Sequence, residues 1–179
     1  MRKGFTLVEL SIVMVIIGIL IGGVLKGKAM IENSKVKRLH NDIKSLTAAV
    51  YTYNDKYGYY PGDDPNGNAC QGDGNGYISS ADERTCAWRQ LIEDGAVTGD
   101  ASLTDEAAVA KPTPFGGYYR LNGAGTNPVY LQSSGNYIPN KIIRGLDVKE
   151  DDGVRDAGDI RSNRDYSNSA DSQFTWYIF

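Results

Sequence analysis

Histidine is almost missing from this 179-residue chain, where His40 stands alone. Cysteine is nearly as scarce, with Cys70 and Cys86 the two present. These three residues cannot build a His-rich metal centre or a four-cysteine zinc site, and most hydrolase constellations that depend on a histidine base go with them. There is also no nucleophile elbow and no phosphate-binding Gly-Lys motif, so catalysis is not expected of this chain. Positive charge is not in excess: 19 Lys and Arg against 22 Asp and Glu leave a formal charge of −3. Nucleic acid is therefore not an expected partner, because no broad basic field is available to hold it. The first 50 residues lack tyrosine and proline altogether, since all 12 tyrosines and 6 prolines follow residue 50. At this length, the asymmetry predicts one globular domain with a compositionally different appendage.

What the first third has instead is a long apolar run. Phe5 to Leu25 reads FTLVELSIVMVIIGILIGGVL, 21 residues that as a helix rise about 1.5 Å each and just span a hydrocarbon core of roughly 30 Å. Arg2 and Lys3 precede it without an acidic neighbour, which keeps the short amino terminus cytoplasmic and sends the rest across. An ordinary secretory signal is the alternative. Against it, the run is longer than a usual signal core, begins almost at the chain end, and shows no small-x-small cleavage site before Lys26 and Lys28. Glu9 sits inside the run. A carboxylate there is unfavourable enough to demand either a role or an escape toward the headgroups, and charge alone leaves the two readings open.

The string RKGFTLVEL, Arg2 to Leu10, resembles the prepilin signature of type IV pilins and type II secretion pseudopilins, with a basic leader ending in Gly4, then Phe5, and Glu9 four residues on. The resemblance implies that a dedicated prepilin peptidase cuts after Gly4 and that the new amino-terminal Phe5 is N-methylated. It also implies that the Glu9 carboxylate pairs with the terminal amine of a neighbouring subunit. Physical chemistry favours such a pair, because facing a buried carboxylate with a buried ammonium removes two unpaired charges at once and fixes the register of stacked helices. Gly18, Gly22 and Gly23 lie in the same run, where they weaken the helix but permit close helix approach.

Beyond Lys26 a second pattern takes over. Val36, Leu39, Ile43, Leu46, Val50, Tyr53 and Tyr57 recur at spacings of 3 and 4, and Lys35, Lys37, Arg38, Asp42 and Lys44 occupy the other side. This predicts one helix from residue 5 to 57, lipid-like first and amphipathic afterward, its stripe either docking on its own domain or forming a free coiled coil. Gly58, Pro61 and Gly62 end it, and this Tyr-rich Gly-Pro exit also resembles the family. His40 lies beside the stripe as a packed or solvated residue rather than a ligand. The expected organisation is a leader 1–4, a stalk helix 5–57 with its transmembrane span at 5–25, and an exported head 58–179.

In an exported head, Cys70 and Cys86 most simply bond to each other, with two buried thiols as the alternative. Between them QGDGNGYISSAD resembles an EF-hand loop, offering Asp73, Asn75 and Asp82 as ligands, although Gln71 stands where an aspartate is expected, Asp82 replaces the usual glutamate, and a plain Gly-Asp turn, which needs no ion, is the favoured alternative. ADERTCAWRQLIEDG reads as a short helix with Trp88, Leu91 and Ile92 inward and Gly95 as its stop. Strands are expected near 117–121, 129–132, 141–148 and 173–179. The fold class is therefore α+β, a long amino-terminal helix packed against a small antiparallel sheet, as in pilins.

The stretch LDVKEDDGVRDAGDIRSN gathers Asp147, Asp151, Asp152, Asp156 and Asp159 around Gly153 and Gly158. So many hard oxygen ligands suit calcium, against the alternative of a solvated loop. It is similar to the loop before the last strand in major pseudopilins. That likeness implies a calcium held by the Leu146 carbonyl and the acidic side chains, ahead of the Asp159-Ile160 pair. No cofactor is required otherwise.

The resemblance implies a structural subunit of a type IV pilus-like filament or a type II secretion pseudopilus, not an enzyme. Its partners would be other pilins or pseudopilins, the prepilin peptidase, an inner-membrane assembly platform and the membrane itself. The precursor would sit in a bacterial inner membrane with its head exported, then enter a periplasmic pseudopilus or a surface pilus. The rival reading is a low-copy tip subunit binding DNA, a surface or a secreted substrate, for which Arg155, Arg161 and Arg164 form a local basic cluster.

Overall fold

The computed structural model describes residues 4, 6–124, 127–135, 137–167 and 170–178. A single helix, α1 (Leu7–Tyr57), runs 51 residues, so the change from lipid-like to amphipathic sequence does not interrupt the backbone. The chain forms two compact units, Met1–Arg38 and Leu39–Phe179. The division falls inside α1, which ends at Tyr57 ahead of Gly58, where the helix stop is expected. No described residue of the first unit is buried.

In the second unit the apolar stripe is the core. Leu39, Ile43, Leu46, Val50 and Tyr53 are buried, which is the outcome expected of a docking face rather than a free coiled coil. Tyr57, the last residue of the stripe, is 43% exposed. Polar contacts hold the helix on two sides of this stripe. The Tyr119 hydroxyl donates to Asp42 (3.3 Å) and Lys111 pairs with the same carboxylate (2.7 Å). The Tyr51 hydroxyl donates to the Ile178 carbonyl (2.6 Å), and Lys44 pairs with Glu150 (3.2 Å). His40 lies 3.8 Å from Glu150, and burial pushes its imidazole below the ordinary value.

After the turn at Gly58 comes α2 (Ala81–Glu93), opened by a capping box in which the Ser80 side chain accepts from the Glu83 N–H while Glu83 accepts from the Ser80 N–H. Trp88 and Leu91 are fully buried, Ile92 is half-buried, and the helix stops before Gly95. A four-residue helix, α3 (Glu106–Val109), leads to the sheet. Strands β1 (Tyr119–Ala124) and β2 (Asn127–Ser133) form a hairpin. Next come β3 (Ile138–Pro139), α4 (Asn140–Glu150), β4 (Ile160–Ser162), β5 (Asp171–Ser172) and β6 (Phe174–Tyr177). The main sheet has the order β1-β2-β6-β4, every neighbour antiparallel, and β3 pairs with β5 apart from it. Tyr119, Leu121, Val129, Leu131, Ile160 and Phe174 supply its buried face, alternate residues of each strand as the pleat requires. The chain is α+β, a long helix with a small antiparallel sheet.

Three of the expected strands are present, though Phe179 lies outside the described residues. The fourth is not a strand. Residues 141–148 belong to α4, whose buried residues Asn140, Ile142, Ile143, Leu146 and Asp147 follow the helical rather than the two-residue period. The β-branched isoleucines and valine suggested a strand; Val148, 62% exposed, shows which period the packing obeys.

Candidate functional site

At the amino terminus, Gly4 is exposed, and a Cβ built there meets nothing within 4 Å. Nothing in the described fold calls for glycine at that position, so a requirement for it would have to come from outside the chain. Phe5, the expected new terminus, lies outside the described residues, as do Met1 to Lys3. Glu9 accepts hydrogen bonds from the Thr6 N–H (2.8 Å) and the Thr6 hydroxyl (2.9 Å), while the Glu9 N–H donates back to the Thr6 hydroxyl (3.2 Å). These bonds form a reciprocal capping box: Thr6 closes the first turn of α1 and Glu9 satisfies an otherwise orphaned donor. The sequence reading weighed Glu9 as a charge and missed Thr6; the signal was the Thr-x-x-Glu spacing ahead of an apolar run.

From Leu7 to Leu25 the large apolar side chains are between 45% and 88% exposed on every side of the helix. A helix apolar all round with no protein cover needs a non-aqueous environment, and this segment is long and apolar enough to cross a membrane. Gly18, Gly22 and Gly23 likewise have nothing within 4 Å of a built Cβ, so the chain's own packing does not require them.

In the second unit Cys70 and Cys86 are bonded, 16 residues apart, which excludes the free-thiol alternative. The bond joins the glycine-rich segment to the buried face of α2. The EF-hand reading of that segment needs correction. Asp82 lies exposed in the first turn of α2, and the acidic residue turned inward is its neighbour Glu83. One carboxylate oxygen each from Asp63, Asp73 and Glu83 lies within 4.8 Å of the other two. Asn75 is used locally, donating from its side chain to Asp73 (2.8 Å) and accepting from the Tyr77 N–H (2.8 Å). Asp63 is 1% exposed. Burial first, and then the facing Asp73 carboxylate, push its carboxyl above the ordinary value against the pull of the Gly76 and Asn75 N–H groups. Sequence reading passed over Asp63 and Glu83, because Asp63 follows Pro61-Gly62 like any turn residue. Ser80-x-x-Glu83 was legible as a capping box.

The second acidic stretch is organised differently from its expected loop. Leu146 and Asp147 lie inside α4, Leu146 as a buried core residue. Asp147, Asp151 and Asp152 come together, again within 4.8 Å, and their oxygens take donors from the chain itself. Asp147 accepts from the Gly153 N–H (2.9 Å) and the Tyr166 hydroxyl (2.5 Å). Asp151 accepts from the Ile160 N–H (2.8 Å) and Asp152 from the Val154 N–H (2.7 Å). Asp156 and Asp159 do not join this group: Asp156 is exposed and paired with Arg155 (2.9 Å), and Asp159 is exposed with its carbonyl accepting from the Tyr177 N–H (2.8 Å). Arg161 lies over the Tyr177 ring and donates to the Gly158 carbonyl (3.1 Å), so Arg155 and Arg161 are each engaged by groups of the second unit itself.

Residues 1–25 match the family model of the prokaryotic N-terminal methylation motif. The chain carries the prepilin signature of type IV pilins and pseudopilins. Gly4 and Glu9 fall within the matched segment, as does the exposed apolar part of α1 through Leu25. The signature marks a pilin-like or pseudopilin-like precursor, fits a membrane-anchored form of it, and belongs to a family of structural subunits. No curated protein and no solved structure matches the chain.

Proposed function

We propose that this protein is a structural subunit of a type IV pilus-like filament or a type II secretion pseudopilus, cut by a prepilin peptidase after Gly4 and polymerised through α1. The observation that carries the reading is the coincidence, within residues 1–25, of the prepilin signature with a helix apolar on every side whose large side chains are exposed. Such a surface has two uses in succession: solvation by lipid in the precursor, then burial against the same helix of other subunits. Gly18, Gly22 and Gly23 support the second use, since each weakens a helix by roughly 1 kcal/mol relative to alanine without relieving any contact inside this chain.

Glu9 has a place in both states. In the single chain its carboxylate closes the capping box with Thr6. In a packed helix core it would meet the Phe5 amine of a neighbour, a charged donor stronger than the neutral ones it already holds. Partners on this reading are other pilin-like chains, the peptidase and an assembly platform in the inner membrane, with Leu39–Phe179 displayed outside.

The test is the intact mass and amino-terminal sequence of protein from sheared filaments, beside those of the membrane-held pool. The expected result is a chain that begins with N-methylated Phe5 in filaments and with Met1 in a peptidase-deficient background. Met1 retained in assembled material, or a cut beyond Leu25, overturns the reading.

A further inference from the structure

Two acidic groups of the second unit differ in how their oxygens are satisfied. Around Asp147 both oxygens of the buried carboxylate have donors, from Gly153 and Tyr166. Around Asp63 they do not. Asp63 Oδ2 accepts from the Gly76 N–H (2.9 Å), but Oδ1, in a residue 1% exposed, has no hydrogen-bond partner among the described residues. A buried carboxylate oxygen without a donor is costly. Here the carboxylates of Asp73 and Glu83 lie beside the same carboxyl group, one oxygen of each of the three within 4.8 Å of the other two, and they can only repel it when ionised.

The surrounding backbone holds the group in place. Gly76 adopts φ +88°, a conformation that side-chain-bearing residues rarely take, and so points its N–H at Asp63. A Cβ at Gly72 would collide with the Asp63 backbone, so two irregular stretches of the chain approach as closely as glycine permits. Among the described residues Glu83 is anchored through Oε2, which accepts from the N–H groups of Ser79 (2.7 Å) and Ser80 (2.8 Å). Its other oxygen remains available. Asp73 and Glu83 also line a cleft of about 440 Å3 beside the disulfide, which gives water and ions a route in.

We propose that Asp63, Asp73 and Glu83 form a binding site for a hard divalent cation, calcium by its ligand chemistry, at the root of the Cys70–Cys86 segment. Calcium binds oxygens at about 2.3–2.6 Å, so two ligands on opposite sides of one ion lie at most about 5 Å apart. The three oxygens, all within 4.8 Å of one another, meet that limit. An all-oxygen donor set selects against zinc and other softer metals. Ligands drawn from an irregular glycine-rich segment and one helix suit the tolerant geometry of calcium better than the strict octahedron of magnesium. Water entering from the cleft completes the shell. The ion supplies Asp63 Oδ1 with its missing partner and ties the exit of α1 to the start of α2.

The experiment is calorimetric titration of calcium chloride into chelator-stripped full-length protein in detergent, for wild type, Asp63→Asn, Asp73→Asn and the double variant Asp151→Asn/Asp152→Asn. Wild type is expected to take up calcium. Asp63→Asn and Asp73→Asn should each weaken one site by about tenfold or more, as loss of a charged ligand does, while the double variant keeps that site. Asp73 is exposed, so Asp73→Asn decides the matter if circular dichroism shows that Asp63→Asn has not folded. No uptake by wild type at millimolar calcium overturns the proposal. So does unchanged uptake in both single variants, or loss confined to the double variant, which would move the ion to the loop after α4.

Discussion

Residues 7–25 and 39–57 belong to one uninterrupted helix, α1, and present opposite surfaces. The first stretch has apolar side chains on every side and buries none of them, whereas the second has one apolar stripe and buries nearly all of it. A helical backbone thus says little about what a segment is for; the angular distribution of its apolar residues says more. A stripe about 100° wide fits one protein surface, and full coverage fits a surrounding medium or a ring of equivalent neighbours. The two also differ in polar fixing. Asp42, Lys44, Tyr51 and Tyr53 each find a partner from another part of the second unit, while Glu9 bonds within its own turn.

The largest effect that separates the two stretches is expected at Glu9. Glutamine preserves the capping box, since Gln serves at that position as Glu does, but it removes the charge. If pairing with a neighbouring amine drives assembly, both Glu9→Gln and Glu9→Ala insert normally and reduce sheared-filament yield to background. If Glu9 only caps α1, Glu9→Gln gives wild-type filaments and Glu9→Ala alone is impaired. Quantifying filaments against the membrane pool distinguishes these outcomes, and wild-type yield from both variants would remove the pairing account.

A matched pair of leucine truncations comes next. Leu46→Ala, inside the buried stripe, should lower the stability of the second unit by about 2–5 kcal/mol, the loss typical of a leucine truncated in a closed core. Leu20→Ala, 61% exposed in the wild type, should leave the melting temperature of the same unit unchanged. Equal shifts from the two would contradict the contrast between the stretches. Removing the disulfide by Cys70→Ser/Cys86→Ser should lower stability by about 3 kcal/mol through the unfolded chain, read as a shift in the urea midpoint, with no change in membrane insertion.

Much of this was legible in the sequence because it is written in periods. Spacings of 3 and 4 from Leu39 to Tyr53 identified the docking face, and a run of length 21 ahead of Lys26 identified the apolar segment. The pairing of Cys70 with Cys86 followed from their being the two cysteines of one compartment. Residues 141–148 were misread because Ile142, Ile143 and Val148 are β-branched, and propensity yielded to packing once Ile142, Ile143 and Leu146 found a common face. The meeting of Asp63 with Glu83 was illegible for another reason: they are 20 residues apart, and at Gly62, where a Cβ would collide with the Glu83 carbonyl, the turn after α1 presses directly on α2. Such an encounter belongs to the folded chain and leaves no pattern along it.

The smallest effect expected tests where the hold on α1 ends. At its last turn Lys56 pairs with Asp94, and the Tyr57 hydroxyl donates to the same oxygen (2.9 Å). Asp94 is the C-cap residue of α2, so this cluster joins the ends of two helices. The Lys56 ammonium, helped by Tyr57, holds the Asp94 carboxyl below its ordinary value against the opposing effect of burial. A carboxyl depressed in the folded state contributes its stability in full above the unfolded-state value, near 4, and loses it as pH falls through the lower folded value. Wild type should therefore melt higher than Asp94→Asn at pH 6, and the gap should narrow steadily below about pH 4. Lys56→Met should lower the melt at pH 6 as Asp94→Asn does, and shift the onset of acid loss upward, because Asp94 then titrates nearer its ordinary range. High salt should shrink the pH 6 gap, since Lys56 is more than half exposed and its pairing is screened. A gap that persists unchanged to pH 2 would show that Asp94 acts through the shape of the α2 cap and not through its charge.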